Sequence, residues 1–218
     1  MNISKILEEQ INKIKPSPEE EAFLQELARD VVKELKAIVK KAKLDADVFI
    51  GGSFAKGTLI KKDNYDVDVF IRFKKGDMTK TVQKMASTAA RNLRWEIEEM
   101  RGSRTYYRIF PPSKRVFFEI VPVLRISKPQ DERNVTDLSY FHVSYIKRKA
   151  KLADQIRLAK SFCQAQGVYG AESYINGFSG YGLECLVVYY KGFLKMLRAM
   201  VKVKDRIVID PAKHYSNS

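Results

Sequence analysis

Two aspartates one residue apart, Asp66 and Asp68, sit inside the segment Tyr65-Asp66-Val67-Asp68-Val69-Phe70-Ile71. Its valine, phenylalanine and isoleucine content predicts a β-strand. Residues two apart on a strand share a face, about 6.7 Å apart along the backbone. Two like charges so placed repel, and a hard cation between them relieves the repulsion. Mg²⁺ suits such a pair because it takes carboxylate oxygens, keeps waters and also binds substrate phosphates. Taken alone, the pair also fits a solvated strand face.

The preceding stretch adds to the pattern. A short strand, Asp47-Val48-Phe49-Ile50, runs into Gly51-Gly52-Ser53-Phe54-Ala55-Lys56-Gly57-Thr58. Glycine lets a backbone approach a ligand closely. The first N–H groups of a helix lack internal partners and carry partial positive charge, which suits a phosphate. Gly52 and Ser53 open such a turn, with the Ser53 hydroxyl as donor and Lys56 as added charge. The plain alternative is a glycine turn with a serine cap. A third acid, Glu119, interrupts the apolar run Val116-Phe117-Phe118-Glu119-Ile120-Val121-Pro122. A carboxylate there is costly unless it holds a metal or pairs with an arginine. If its strand lies beside the aspartate strand, three carboxylates converge, as two-metal phosphoryl transfer requires. One ion then activates the attacking hydroxyl and the other steadies the leaving pyrophosphate.

These residues need a scaffold, and the sequence outlines one. Residues 3–14 predict a short helix. Ser17-Pro18-Glu19-Glu20 opens a second with a capping box and a proline at its first position. Leu24, Leu27, Val31, Leu35, Ile38 and Ala42 line one side of it, ready to back a sheet. Further strands are expected at 65–73, 105–110 and 115–121, the last two joined by a turn at Pro111-Pro112-Ser113. A helix is expected over 79–100, with Trp95 on its buried side. The fold class is α+β with an α/β-like head: a mixed sheet with helices on one face. The polar stretch from Lys128 to Asn134 marks a boundary, giving a head over 1–130 and a helical part over 131–218. That part has helices at 139–149, 152–166 and 178–203 and a closing strand at 206–209.

The 40 Lys and Arg against 26 Asp and Glu leave a net charge of +14 on 218 residues. Such a field attracts polyanions, nucleic acid first and an anionic membrane surface second. With 45% hydrophobic and 30% charged residues the chain is not disordered throughout. Cys163 and Cys185 show neither metal-ligand spacing nor a disulfide framework, and read as buried thiols in a reducing compartment, hence a cytoplasmic protein. The N-terminal helix carries Glu8 and Glu9 and is no signal peptide. No run approaches the roughly 18 apolar residues of a membrane span.

The glycine turn, Asp66-Val67-Asp68 and Glu119 together resemble the polymerase-β-like nucleotidyltransferase signature. Ser139-Tyr140-Phe141-His142, Arg157-Leu158-Ala159-Lys160, Gly167-Val168-Tyr169-Gly170-Ala171-Glu172 and Gly177-Phe178-Ser179-Gly180-Tyr181-Gly182-Leu183-Glu184 narrow this. In order and spacing, as far as about Pro211, they resemble the archaeal-type, class I CCA-adding enzymes. The resemblance implies a catalytic head followed by a helical neck domain. It implies template-independent addition of C, C and A to the 3′ end of tRNA from CTP and ATP, with Mg²⁺. By motif, Asp66, Asp68 and Glu119 would hold the metals, and Ser53 and Lys56 would touch the triphosphate. Ser139, His142, Lys160 and Tyr169 would surround the incoming nucleotide. On the residues alone, these read as a structural histidine, a core tyrosine and a solvated lysine.

Two departures stand out. Glu119 occupies a position where the family usually has aspartate. The sequence also stops near the start of the family's body, which fits a piece of a longer protein, a naturally minimal one, or one completed by a second copy, as a homodimer, or by a second subunit. Some of the basic residues of the second half, among them Lys147, Arg148, Lys149, Lys151, Lys191, Lys195 and Arg198, would meet acceptor-stem phosphates, and the others read as solvated helix faces. The alternatives are another RNA 3′-terminal transferase, poly(A)-adding or toxin-like, and a non-catalytic RNA-binding subunit.

Overall fold

The computed structural model describes residues 2–74 and 78–209. In chain order its main elements are α1 (Ile3–Ile14), α2 (Pro18–Lys41), β1 (Ala46–Ile50), α3 (Gly52–Lys56), β2 (Tyr65–Phe73), α4 (Met78–Leu93), β3 (Glu96–Arg101), β4 (Thr105–Phe110), β5 (Val116–Leu124), α5 (Ser139–Lys147), α6 (Ala153–Ala165), α7 (Gly180–Tyr189) and α8 (Phe193–Met200). The start of α2 follows from its sequence. Ser17 Oγ accepts from the Glu20 N–H, and the Glu20 carboxylate accepts from the Ser17 N–H at 2.8 Å.

The five strands form one mixed sheet in the order β1-β2-β5-β4-β3. The central pair, β2 and β5, is parallel, and the other pairs are antiparallel. Alternation along β2 sorts its residues to two faces. Tyr65, Val67, Val69, Ile71 and Phe73 join one core with Val116, Phe118 and Ile120 of β5. That face is covered by Leu24, Ala28, Val31 and Leu35 of α2 and by Val82, Met85, Ala86, Ala89 and Ala90 of α4. Asp66, Asp68, Phe70 and Arg72 take the opposite face, with Phe117, Glu119 and Val121 of β5 beside them. The fold is the expected α+β arrangement, with helices backing the sheet on one side.

Three expectations need correction. The helix expected over 79–100 stops at Leu93, where Arg94 adopts a left-handed φ of 59°. Glu96–Arg101 then turns back as the edge strand β3, paired with β4. Its glutamates and methionine favour a helix, but the open edge of β4 offers a full ladder of hydrogen bonds, and the tertiary pairing wins. Trp95 does pack inward, stacked on Phe118 with ring centroids 5.6 Å apart. The helix expected over 178–203 is two helices, α7 and α8, broken where Lys191 and Gly192 take φ of 58° and 137°. Residues 206–209 form no strand.

By packing, the chain divides into two units, Pro16–Tyr145 and a second made of Met1–Lys15 with Ile146–Ser218. The second unit includes α1 because α1 packs on α6, which also carries α7 and α8. Its core holds Ile156, Ala159, Leu183, Val187 and Met196. In the first unit the chain beyond β5 is fastened by Asp137, whose side chain is fully buried. Its Oδ1 accepts from Arg104 at 2.5 Å and from the Leu124 N–H at 2.7 Å, and its Oδ2 accepts from Arg104 at 2.9 Å and from the Arg133 and Asn134 N–H groups. Burial alone raises the Asp137 pKa, but the donors from Arg104, Leu124 and Arg133 outweigh it and hold the carboxyl below its ordinary value.

Removing this charge leaves Arg104 and three backbone N–H groups under-satisfied. Asp137→Ala is expected to cost about 3 kcal/mol at pH 7 by urea denaturation. A depressed carboxyl stabilises above its unfolded pKa and loses that contribution as pH falls through its folded value. The difference between Asp137→Ala and wild type should therefore shrink in acid below about pH 4.

Candidate active site

The strand registers line up four charged residues straight across the open face. Glu98 on β3 is paired with Arg108 on β4, Arg108 with Glu119 on β5, and Glu119 with Asp68 on β2. The row ends at the glycine turn, where the Gly51 N–H donates to the Asp68 backbone carbonyl at 2.8 Å. Asp66, two residues before Asp68, lies on the same face.

Cations hold the two outer acids. Arg108 donates to Glu119 Oε1 from Nε at 2.9 Å and from Nη2 at 2.8 Å. Asp66 Oδ1 is ion-paired with Lys62. Asp68 lies between them. Burial, followed by the charges of Glu119 and Asp66, pushes its carboxyl from 3.8 up to about 7, against the opposing pull of Lys56 and Lys62. The local concentration of negative charge is thus visible in the response of its central member.

The glycines are fixed by this crowding. A Cβ on Gly52 would fall 1.7 Å from Asp68 Oδ2, and Gly52 has a φ of 59°. A Cβ on Gly51 would fall 2.1 Å from the Phe70 ring. Only glycine lets the turn into α3 lie this close to the acid face, and α3 then brings Lys56 within electrostatic reach of Asp68. Ser53 follows Gly52 in α3. Beside the acids lies a cleft of ≈ 510 Å³, counting its open mouth, lined by Asp68, Glu119, Phe70, Tyr106, Arg104 and Thr136 among others.

Of the residues expected around a nucleotide, Ser139 and His142 are on α5, in the same unit as the acids. Between them Tyr140 packs edge-on against Phe49 of β1, ring centroids 5.5 Å apart. Lys160 and Tyr169 belong to the other unit. Lys160 is buried, and its Nζ donates to the buried Glu184 at 2.7 Å, so it is no solvated lysine. Tyr169 bridges to Phe178, and its hydroxyl abuts Gly180 at the start of α7. Sequence reasoning did not single out Arg108 or Lys62. Arg108 carries no local signal, because only the pairing of β4 with β5 sets it opposite Glu119.

Among the described residues no three His, Cys, Asp or Glu side chains are drawn together into a metal cage. Asp66, Asp68 and Glu119 nonetheless suit a hard divalent ion. They are oxygen donors on one face of adjoining strands, with a central carboxyl destabilised by its neighbours. Mg²⁺ is held mostly through one or two carboxylates plus waters and substrate phosphates, so a closed protein cage is not what it needs.

The sheet order, the acid row and the glycine turn define a nucleotidyltransferase fold of the polymerase-β-like kind. Residues 32–133 match the model of the nucleotidyltransferase domain, and residues 154–218 match that of the tRNA nucleotidyltransferase second domain. The solved structures with this fold include the Cid1 RNA terminal uridylyl transferase, at a TM-score of 0.66 and 18% identity over 86% of this chain and 54% of that one. The GLD-2–GLD-3 non-canonical poly(A) polymerase complex gives 0.65 and 13%, over 87% and 59%. In sequence the chain is 36% identical over 193 residues to the CCA-adding enzyme of Nanoarchaeum equitans, covering 88% of this chain and 48% of that protein. It is 28% identical to the CCA-adding enzyme of Thermoplasma acidophilum, covering 95% and 93%. Over most of its length, then, the chain is similar in sequence to CCA-adding enzymes of archaea. It spans about half the length of most of the curated relatives it matches, 48% and 50% of the Nanoarchaeum and Sulfurisphaera tokodaii proteins for example. No helix of the described residues is long and apolar enough to cross a membrane.

A carboxyl held at about 7 when folded, against an ordinary 3.8, keeps its proton in the folded state when the unfolded chain has lost it. Stability of the metal-free protein should therefore fall as pH rises between those values. Asp68→Asn should flatten that fall, so its melting temperature should gain on wild type from pH 5 to pH 8; a constant difference would contradict the assignment. Gly52→Ala should lose at least about a hundredfold in any activity of this site while remaining folded, since its methyl displaces the Asp68 carboxylate.

Proposed function

We propose that the protein is a metal-dependent nucleotidyltransferase that adds CMP and AMP to the 3′ end of tRNA, from CTP and ATP, completing or repairing the CCA end without a template. The observation that carries this reading is the meeting of Asp66, Asp68 and Glu119 on one sheet face against the Gly51-Gly52 turn. Sequence similarity to CCA-adding enzymes over 88% of the chain supports the choice of substrate.

In this reading Asp66, Asp68 and Glu119 hold Mg²⁺. Held there, Mg²⁺ would supply positive charge to offset the triphosphate and to acidify the terminal hydroxyl. Gly52 keeps the backbone low enough for the triphosphate to approach, and Ser53 and Lys56 orient its oxygens. Ser139 and His142 of α5 contact the nucleotide, while Lys160, buried against Glu184, fastens α6 to α7. The RNA 3′-oxygen forms a bond to the α-phosphorus as the bond to the bridging oxygen breaks and pyrophosphate leaves. Most of the catalysis asked of the protein is positioning and charge compensation. The unit Pro16–Tyr145 supplies the catalytic part, and the helices that follow it contact RNA. The protein would work in the cytoplasm, and a second copy or a second subunit would add further contacts to the RNA.

The test is an extension assay with tRNA ending before CCA, after C and after CC, each with one of the four nucleotides and Mg²⁺. CTP should be used on the first two and ATP on the third. Asp66→Ala and Asp68→Ala should each lower incorporation at least about a thousandfold, with circular dichroism unchanged. Long A tails or addition of U would favour another 3′-terminal RNA transferase. RNA binding with no incorporation of any nucleotide would favour a non-catalytic subunit.

A further inference from the structure

Arg108 is held by more than its acid. It stands in direct register between Glu98 and Glu119. Its guanidinium carbon lies 4.7 Å from the centre of the Phe117 ring and 5.9 Å from that of Tyr106. It is therefore fixed by stacking on its own strand and the next, independently of Glu119. A fork-to-fork arginine pair engages both carboxylate oxygens. Here both N–H donors go to Oε1, which leaves Oε2 outside the pair. The Arg108 and Glu119 side chains are 29% and 19% exposed, so the pair stays within reach of solvent and solute ions.

Glu119 also has a reason to need such a partner. Its arm is one methylene longer than that of aspartate, with one more rotatable bond to order before its carboxylate can serve as a ligand. Side chains that bind metals are commonly held by an outer partner that fixes their orientation. Arg108 can do this from a neighbouring strand without occupying the second oxygen.

We propose that Arg108 is the positioning residue for Glu119, holding Oε1 so that Oε2 stays available as a ligand for a divalent cation. This rests on the carboxylate row being the metal site described under the proposed function. Arg108 itself touches neither nucleotide nor RNA in this role.

The experiment measures Mn²⁺ binding to the protein alone, by the loss of the free-ion electron paramagnetic resonance signal, and the Mg²⁺ dependence of nucleotide incorporation. Arg108→Met keeps an apolar stem over Phe117 and removes the donors. It should weaken Mn²⁺ binding about tenfold and raise the Mg²⁺ concentration for half-maximal rate by a similar factor. The rate at saturating Mg²⁺ should change by less than about threefold. Made on top of Glu119→Asp, the same substitution should cost about twofold or less, because the shorter arm has less freedom to remove. Arg108→Lys should fall between Met and wild type, and it carries the same comparison should the Met variant fail to fold. Unchanged or tighter Mn²⁺ binding in a folded Arg108 variant would overturn the proposal, as would an equal loss with and without Glu119→Asp. A wild type that binds Mn²⁺ but incorporates no nucleotide would defeat the functional reading while the binding data still decide the role of Arg108. A wild type that binds no Mn²⁺ would overturn both.

Discussion

Like charges crowded onto one face of a sheet are the constraint around which this protein is arranged. Parallel pairing of β2 with β5 sets Asp68 directly beside Glu119, and the two-residue repeat of a strand sets Asp66 on the same side. No one would place three carboxylates together for stability. The cost is met locally: Arg108 neutralises one flank, Lys62 the other, and Asp68 between them answers by holding its proton more tightly. The rest of the first unit keeps this unfavourable group of charges from relaxing apart.

The support is layered. Behind the acids, the apolar faces of β2 and β5 are closed by α2 and α4, so the strands cannot slip without exposing their core residues. In front, two glycines allow the turn into α3 to rest against Phe70 and Asp68. Beyond β5, the Arg104–Asp137 lock holds the polypeptide where it leaves the sheet, with Arg104 also donating to the Pro122 carbonyl at 3.2 Å. Rigid positioning of this kind is what phosphoryl transfer asks of a protein, since little of the chemistry is covalent work by side chains.

Much of this was legible in the sequence because it rests on local pattern. The Asp66–Asp68 spacing, the lone Glu119 in an apolar run, and the Ser17 capping box are short-range signals that the structure places as such patterns imply. What escaped was pairing information. β3 reads as the end of a helix because Glu, Met and Arg favour one, and only the free edge of β4 makes it a strand. Arg108 escaped for the same reason: an arginine in Thr105–Phe110 is unremarkable until register sets it opposite Glu119. Lys160 showed the reverse. Its neighbours gave no hint that it would be buried against Glu184, a contact between residues 24 apart on different helices.

Strand β3 has a consequence of its own. It is one of the two outer strands of the sheet, and most of its side chains are exposed. An uncovered strand offers its free backbone groups to any passing chain that can extend the ladder. Here four of six residues are charged, Glu96, Glu98, Glu99 and Arg101, and charged side chains along a border resist burial against a second copy. Misassociation between copies is thus discouraged by the same strand that the sequence disguised as a helix.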